Sequence, residues 1–375
     1  MITLTSSTFR NNLLDSSSPF QRGGALTALS EFRDPAVALL IQDCEFSSNS
    51  IVSRTSAFGG AIAAVGINSI AIGRSSFRDN AINYNNNGTD LLSSTFGGAL
   101  YLQMDHDLRI TGSEFSGNGI NVFSSADADN LRSSAFGGAM AVRSTGRVTL
   151  AMISNVTWSG NFISVGCGTG SASLNELDGG GAIYTRELPS FTMGNSTLTL
   201  NQVSGCHASY GGAIMADLSE TAANRWNITN SIFSLNNVTV APNGVPLPGT
   251  EAAGGALYLR PPSTMRNVSL SLRGVEFTSN SANGIPPSHY TCDPNENNCA
   301  RPRVSARGGA LSSPSLDSLN STFKNNTVTG SESLGGAVVI STPTTSSIRD
   351  THFKANDVFA YGVSASRGGA LYIQV

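Results

Sequence analysis

Carboxylates and imidazoles come first, because they could do acid–base work. Asp105-His106-Asp107 places two carboxylates beside one ring, and Asp178 stands just before Gly179-Gly180-Gly181. Cleaving a polysaccharide needs carboxyl groups, often with Lys or Arg, converging on one face. The Asp105–Asp107 run directly follows a short apolar alternation, where Asp commonly makes a turn, and Asp178 reads as a turn residue too. His207, His289 and His352 have no evident partners. Catalysis is not the expectation, and nothing here calls for a cofactor.

The five cysteines include no Cys-x-x-Cys, so a zinc site is not expected. Cys292 and Cys299 flank Asp-Pro-Asn-Glu-Asn-Asn, and a local disulfide between them is the favoured pairing. Cys167 and Cys206 lie six and five residues after equivalent Asn residues, a similar phase that could bring them within disulfide reach. Cys44, two before Phe46, reads as a free core thiol. Such pairings point to an oxidising compartment. Eight Asn-x-Ser/Thr sequons occur where chance predicts about seven, so their number says nothing about glycosylation.

What positions these groups is a repeat. Gly-Gly-Ala-aliphatic recurs with its Ala at 25, 61, 99, 139, 182, 213, 256, 310, 337 and 370. Between the copies stands aromatic-x-x-Asn: Phe9/Asn12, Phe46/Asn49, Phe77/Asn80, Phe115/Asn118, Trp158/Asn161, Phe233/Asn236, Phe277/Asn280, Phe323/Asn326 and Phe353/Asn356. A tenth copy keeps Asn201 and replaces the ring with Leu198. The mean period from Ala25 to Ala370 is about 38 residues, within the range of solenoids and arrays. No stretch carries helical apolar spacing, whereas short runs alternate as strands do. After each Ala come an aliphatic residue and, two positions on, Leu102, Val142, Leu259, Ile340 or Ile373, all on one face. A second run precedes each aromatic, as in Val268-Ser-Leu-Ser-Leu272. Strand and bend in alternation predict an all-β, right-handed parallel β-helix of about ten coils, one domain over 1–375 and about 45–50 Å long.

Each recurring residue then has a structural job. The aromatic points inward and stacks on its neighbours. The Asn sits at a bend, where it tolerates the left-handed conformation, and is able to bond up and down as a ladder. The Gly pair allows positive φ or close approach at the opposite bend. The position after the aliphatic holds Thr27, Ala63, Tyr101, Ala141, Tyr184, Met215, Tyr258, Ser312, Val339 and Tyr372, and is expected to face outward. It carries no carboxylate, and its tyrosines offer an amphipathic surface for weak glycan or protein contacts. Two positions further on, Arg143, Arg186, Asp217 and Arg260 share a phase, as solvated strand ends or as a basic stripe for an anionic glycan. The Ala-to-aromatic segment is the more constant one. Insertions gather in the other, at 82–94, 121–134, 164–177, 239–251 and 283–306, and insertions on one face of a solenoid often mark its binding face.

The alternation of Gly59-Gly60-Ala61-Ile62 with Phe77-Arg-Asp-Asn80, and of Gly97-Gly98-Ala99-Leu100 with Phe115-Ser-Gly-Asn118, resembles the repeats of chlamydial polymorphic outer-membrane proteins. The resemblance covers essentially the whole chain. It implies a β-helix passenger displayed at a surface and associated with adhesion. Met140, Trp158 and Leu198 depart from the repeat words, and no autotransporter barrel follows them in this sequence.

Composition narrows the partners. Charged residues are 13% of the chain, about half the usual share, and the net charge is −3. Phosphate neutralisation needs a basic surface, so nucleic acid is not an expected partner. The most apolar stretch, Phe58 to Ile72, is broken by Gly59, Gly60, Gly66, Asn68 and Ser69 and falls short of a membrane span. The first residues carry no basic, then apolar, signal pattern, and both ends read as strands in progress, which suggests a piece of a longer chain. The expected function is a structural or adhesive rod of a secreted or cell-surface protein (outer membrane, for a bacterial source). Its insertion corner would meet glycan or protein ligands. A carbohydrate-active enzyme on the same fold is the alternative.

Overall fold

The computed structural model describes residues 1–16, 20–30, 37–86, 92–124, 132–145, 150–166, 177–220, 222–242, 249–261, 268–286, 303–341, 346–361 and 366–374. These form five parallel sheets of ten strands each. One coil lays one strand in each sheet. In the first coil they are β1 (Ile2–Thr5), β2 (Thr8–Arg10), β3 (Leu13–Ser16), β4 (Phe20–Arg22) and β5 (Leu26–Leu29), which begin sheets A to E in that order. Each strand pairs with its counterpart one coil later, as Phe46 with Phe77 and Leu100 with Met140. The fold is a right-handed parallel β-helix of ten coils.

Five strands per coil is more than the sequence displays. Strands of sheets B and D have only two to five residues, too few for alternation to be read. The stretches expected as insertions are partly strand, since Ala81–Asn86 lies in sheet C and Leu92–Phe96 in sheet D. In the sheet A strand Leu150–Ser154, Ala151 and Ile153 turn inward and Met152 is exposed.

Single left-handed residues make three of the corners. Between sheets A and B they include Asp43 at φ 55° and Asn195 at 50°; between B and C, Ser48 at 53° and Leu200 at 58°. The second set stands one residue before the ladder Asn, so the left-handed role falls to its neighbour and not to the Asn. Between D and E the first glycine of the pair supplies the corner, as Gly59 does at φ 69°. The second is needed for another reason. A Cβ on Gly60 would lie 2.0 Å from the Gly98 carbonyl oxygen and 2.7 Å from that of Ala81, so only a bare backbone fits.

Sheets A, B and E enclose the main core. The rings of sheet B stack along its axis with centroids 4.0–5.1 Å apart and planes within 12°, from Phe9 to Trp158 and from Phe233 to Phe353. Leu198 interrupts the column between Trp158 and Phe233. The same coil carries Phe191 in sheet A, stacked on Trp226 at 4.2 Å, while the Trp158 coil has only Ala151 there. A small residue beside the large ring and a ring beside the leucine keep the cross-section filled.

Beside the rings runs an unbroken ladder of carboxamides, from Asn12 through Asn49, Asn80, Asn118, Asn161, Asn201, Asn236, Asn280 and Asn326 to Asn356. Each Nδ2 donates to the next Oδ1 at 2.7–3.0 Å. In the interior Nδ2 also donates to the aromatic carbonyl of the preceding coil, as Asn80 to Phe46, and Oδ1 accepts the preceding backbone N–H, as Asn118 does from Asn80. Four hydrogen bonds saturate each buried amide, so burial leaves no polar atom orphaned. A smaller ladder lies two residues before the ring, where Ser75 Oγ accepts the Cys44 N–H and Ser113 Oγ that of Ser75.

Candidate functional site

Sheets C and D form a two-layer arm. Ile51, Ile82, Ile120 and Val203 of C pack against Ala57 and Ala135 of D in a core of their own. The far face of D meets the outer face of E in a third core, containing Phe58, Phe96, Phe136 and Tyr210 from D and Tyr101, Ala141, Tyr184, Met215 and Tyr258 from E. The Gly pair is the hinge between them. The residue before the pair and the residue three after it are therefore brought face to face.

This overturns the expected open stripe. Ala63, Tyr101, Ala141, Tyr184, Met215, Ser312 and Val339 are buried, and Tyr258 and Tyr372 are half-buried. The rings interlock across the junction: Phe58 with Tyr101 at 4.9 Å, Phe136 with Tyr184 at 4.4 Å, Tyr210 with Tyr258 at 4.4 Å. On two coils a large residue faces a small one, Phe136 against Ala141 and Tyr184 against Gly179, while Phe96 faces Tyr101 and Tyr210 faces Met215. A Cβ on Gly179 would also strike Met215 Sδ at 1.8 Å. The sequence signal for this seam is the Phe or Tyr immediately before the Gly pair, at 58, 96, 136 and 210.

Polar groups line the outer edge of this seam. Tyr184 donates to Asp217 Oδ2 at 2.6 Å, and Arg260 approaches Asp217 Oδ1 at 3.5 Å. One coil on, Glu251 lies 2.8 Å from Arg307, and the Tyr210 hydroxyl lies 3.5 Å from its other oxygen. Burial holds the Tyr184, Tyr210 and Tyr258 hydroxyls well above the usual phenol range, and nearby carboxylates add to it. Burial also raises the Glu251 carboxyl, against the pull of Arg307. In the other half of the seam burial raises Tyr101, opposed by Arg143, Arg22 and Arg186 around it.

No family model, curated protein or solved structure matches this chain.

The remaining sequence candidates fall elsewhere. Asp105 is buried at the end of its sheet E strand and accepts the Thr145 hydroxyl of the next coil, while Asp107 opens a sheet A strand. Asp178 is not a turn residue: it is buried inside a sheet D strand, where it accepts the Ala135 N–H at 3.0 Å. His207 does have a partner, Thr250 Oγ1 at 3.1 Å, and burial lowers its pKa. Cys206 is disulfide-bonded, with its partner outside the described residues, and Cys44 is free and buried. Cys167, Cys292, Cys299, His289 and the central parts of the five insertions also lie outside the described residues. Among the described residues no group of three His, Cys, Asp or Glu could hold a metal ion, and no helix is long and apolar enough to cross a membrane.

Proposed function

We propose that the protein is a non-catalytic structural and adhesive rod of a secreted or surface-displayed protein, as the resemblance to polymorphic outer-membrane repeats implies. One observation carries the reading: the repeated polar residue is buried from Asn49 to Asn326, and the hydrogen bonds of the ladder from Asn12 to Asn356 join coil to coil. Repetition on this scale serves cohesion along an axis, which is what a rod requires. The disulfide at Cys206 supports an oxidising compartment. Protease treatment of intact source cells tests display. Peptides from these coils released before lysis support it, and release only after lysis contradicts it. Beads coated with the protein and washed over cells test adhesion, with retention no better than on albumin-coated beads counting against it.

The alternative, a carbohydrate-active enzyme, draws on Asp217 and Glu251, which act on Tyr258 from adjacent coils. Each is paired with an arginine of the next coil, an arrangement suited to holding charge in place. New reducing ends from a polysaccharide, abolished in Asp217→Asn, would establish the enzyme and displace the rod.

A further inference from the structure

The seam is electrostatically lopsided. On coils six to eight Asp217 and Glu251 meet Arg260 and Arg307. On the earlier coils Arg143 and Arg186 are direct register partners in sheet E, both exposed, with Gln103 on one side and Asp217 on the other. Strand spacing sets the backbones of these two residues about 4.8 Å apart along the rod. Arg186 is paired with its chain neighbour Glu187, at 3.6 Å, and has Asp217 as its register partner on the next coil. Among the described residues no ion pair involves Arg143 or Arg22, although both lie near Tyr101. Like charges side by side repel, and they are held here by the β-ladder itself.

We propose that this half of the seam binds a linear polysaccharide bearing carboxylate or sulfate groups, its anions on Arg143 and Arg186. The inference rests on the adhesive reading and names its ligand class. Planar guanidinium forks recognise carboxylate and sulfate oxygens in pairs. An extended polyanion presents charges at intervals along its length, as the two arginines are set along the rod. Only ligands with repeated charge gain from both arginines at once.

The test is binding of the intact chain to polygalacturonate, to its fully methyl-esterified form and to dextran sulfate, across a salt series. The expected result is binding to one or both anionic polymers, weakening as salt rises, with none to the ester. Arg143→Gln and Arg186→Gln should each weaken binding about tenfold and the double variant more, while Arg74→Gln, in its ion pair with Asp43 at another corner, should not. Both arginines are exposed, and an unchanged circular dichroism spectrum confirms that the variants fold. Equal binding to the ester, or binding indifferent to both arginines, overturns the proposal. Retention of coated beads on cells without binding to either anionic polymer would also overturn it and leave adhesion standing; failure of both assays would remove adhesion itself.

Discussion

Asn161 donates to Asn201 at 3.0 Å at the one place where the ring column is broken, where Trp158 lies against Leu198. The carboxamide ladder is thus more continuous than the aromatic one. Shape in the core can be traded between sheets, as Phe191 shows beside Leu198. A buried amide's hydrogen bonds cannot be supplied from elsewhere.

Asn201→Ala should therefore be severe although no ring is touched. It removes the side-chain partner of the Trp158 carbonyl and of the Asn161 N–H, and takes one hydrogen bond from each of the Asn161 and Asn236 carboxamides. A loss of about 2–4 kcal/mol is expected, seen as a lowered denaturant midpoint. A loss under about 1 kcal/mol would show that the ladder contributes little.

The glycines separate two physical demands. Gly98→Ala places a Cβ 1.9 Å from the Gly138 carbonyl oxygen, and the variant should fail to fold or lose more than about 3 kcal/mol. Gly160→Ala meets nothing within 4 Å and has only its φ of 61° to bear, for about 1 kcal/mol. Equal melting temperatures for the two would refute the close-approach explanation.

Leu200 and Leu235 occupy left-handed corners at φ 58° and 56°, with 58% and 52% of their surfaces exposed. Asparagine tolerates that conformation far better than leucine. Leu200→Asn and Leu235→Asn should each raise stability by about 0.5–1 kcal/mol in thermal or chemical melts. Destabilisation by either would mean that the leucine is held by contacts its exposure conceals.

His207 makes stability depend on pH. Burial lowers its folded pKa, so between that value and the ordinary 6.5 the unfolded chain binds more protons. Its contribution is complete above pH 6.5 and falls as the solution is acidified through the folded pKa. His207→Gln, which keeps a polar group near Thr250, should flatten that limb of the stability–pH curve. An unchanged slope would place the acid sensitivity elsewhere.

Much of this architecture was legible in the residues alone. The pairing of a ring with an Asn three later, nine times over and a tenth time with Leu198 for the ring, determined parallel coils with like on like, because only stacking in register lets each of those side chains find its own kind. The Gly pair announced a tight corner for the same reason. The arm was not legible. Whether Tyr101 or Tyr184 faces water depends on where sheet D folds back, and that is decided by contacts between one coil and the next. Asp217 and Arg260, 43 residues apart, show the distance involved. Strands of three residues carry too little alternation to reveal a second layer. Period and ladder are local chemistry repeated; the buried seam, its ion pairs and its juxtaposed arginines exist only once the chain has closed on itself, since burial on the outer face of E is a property of what D lays over it.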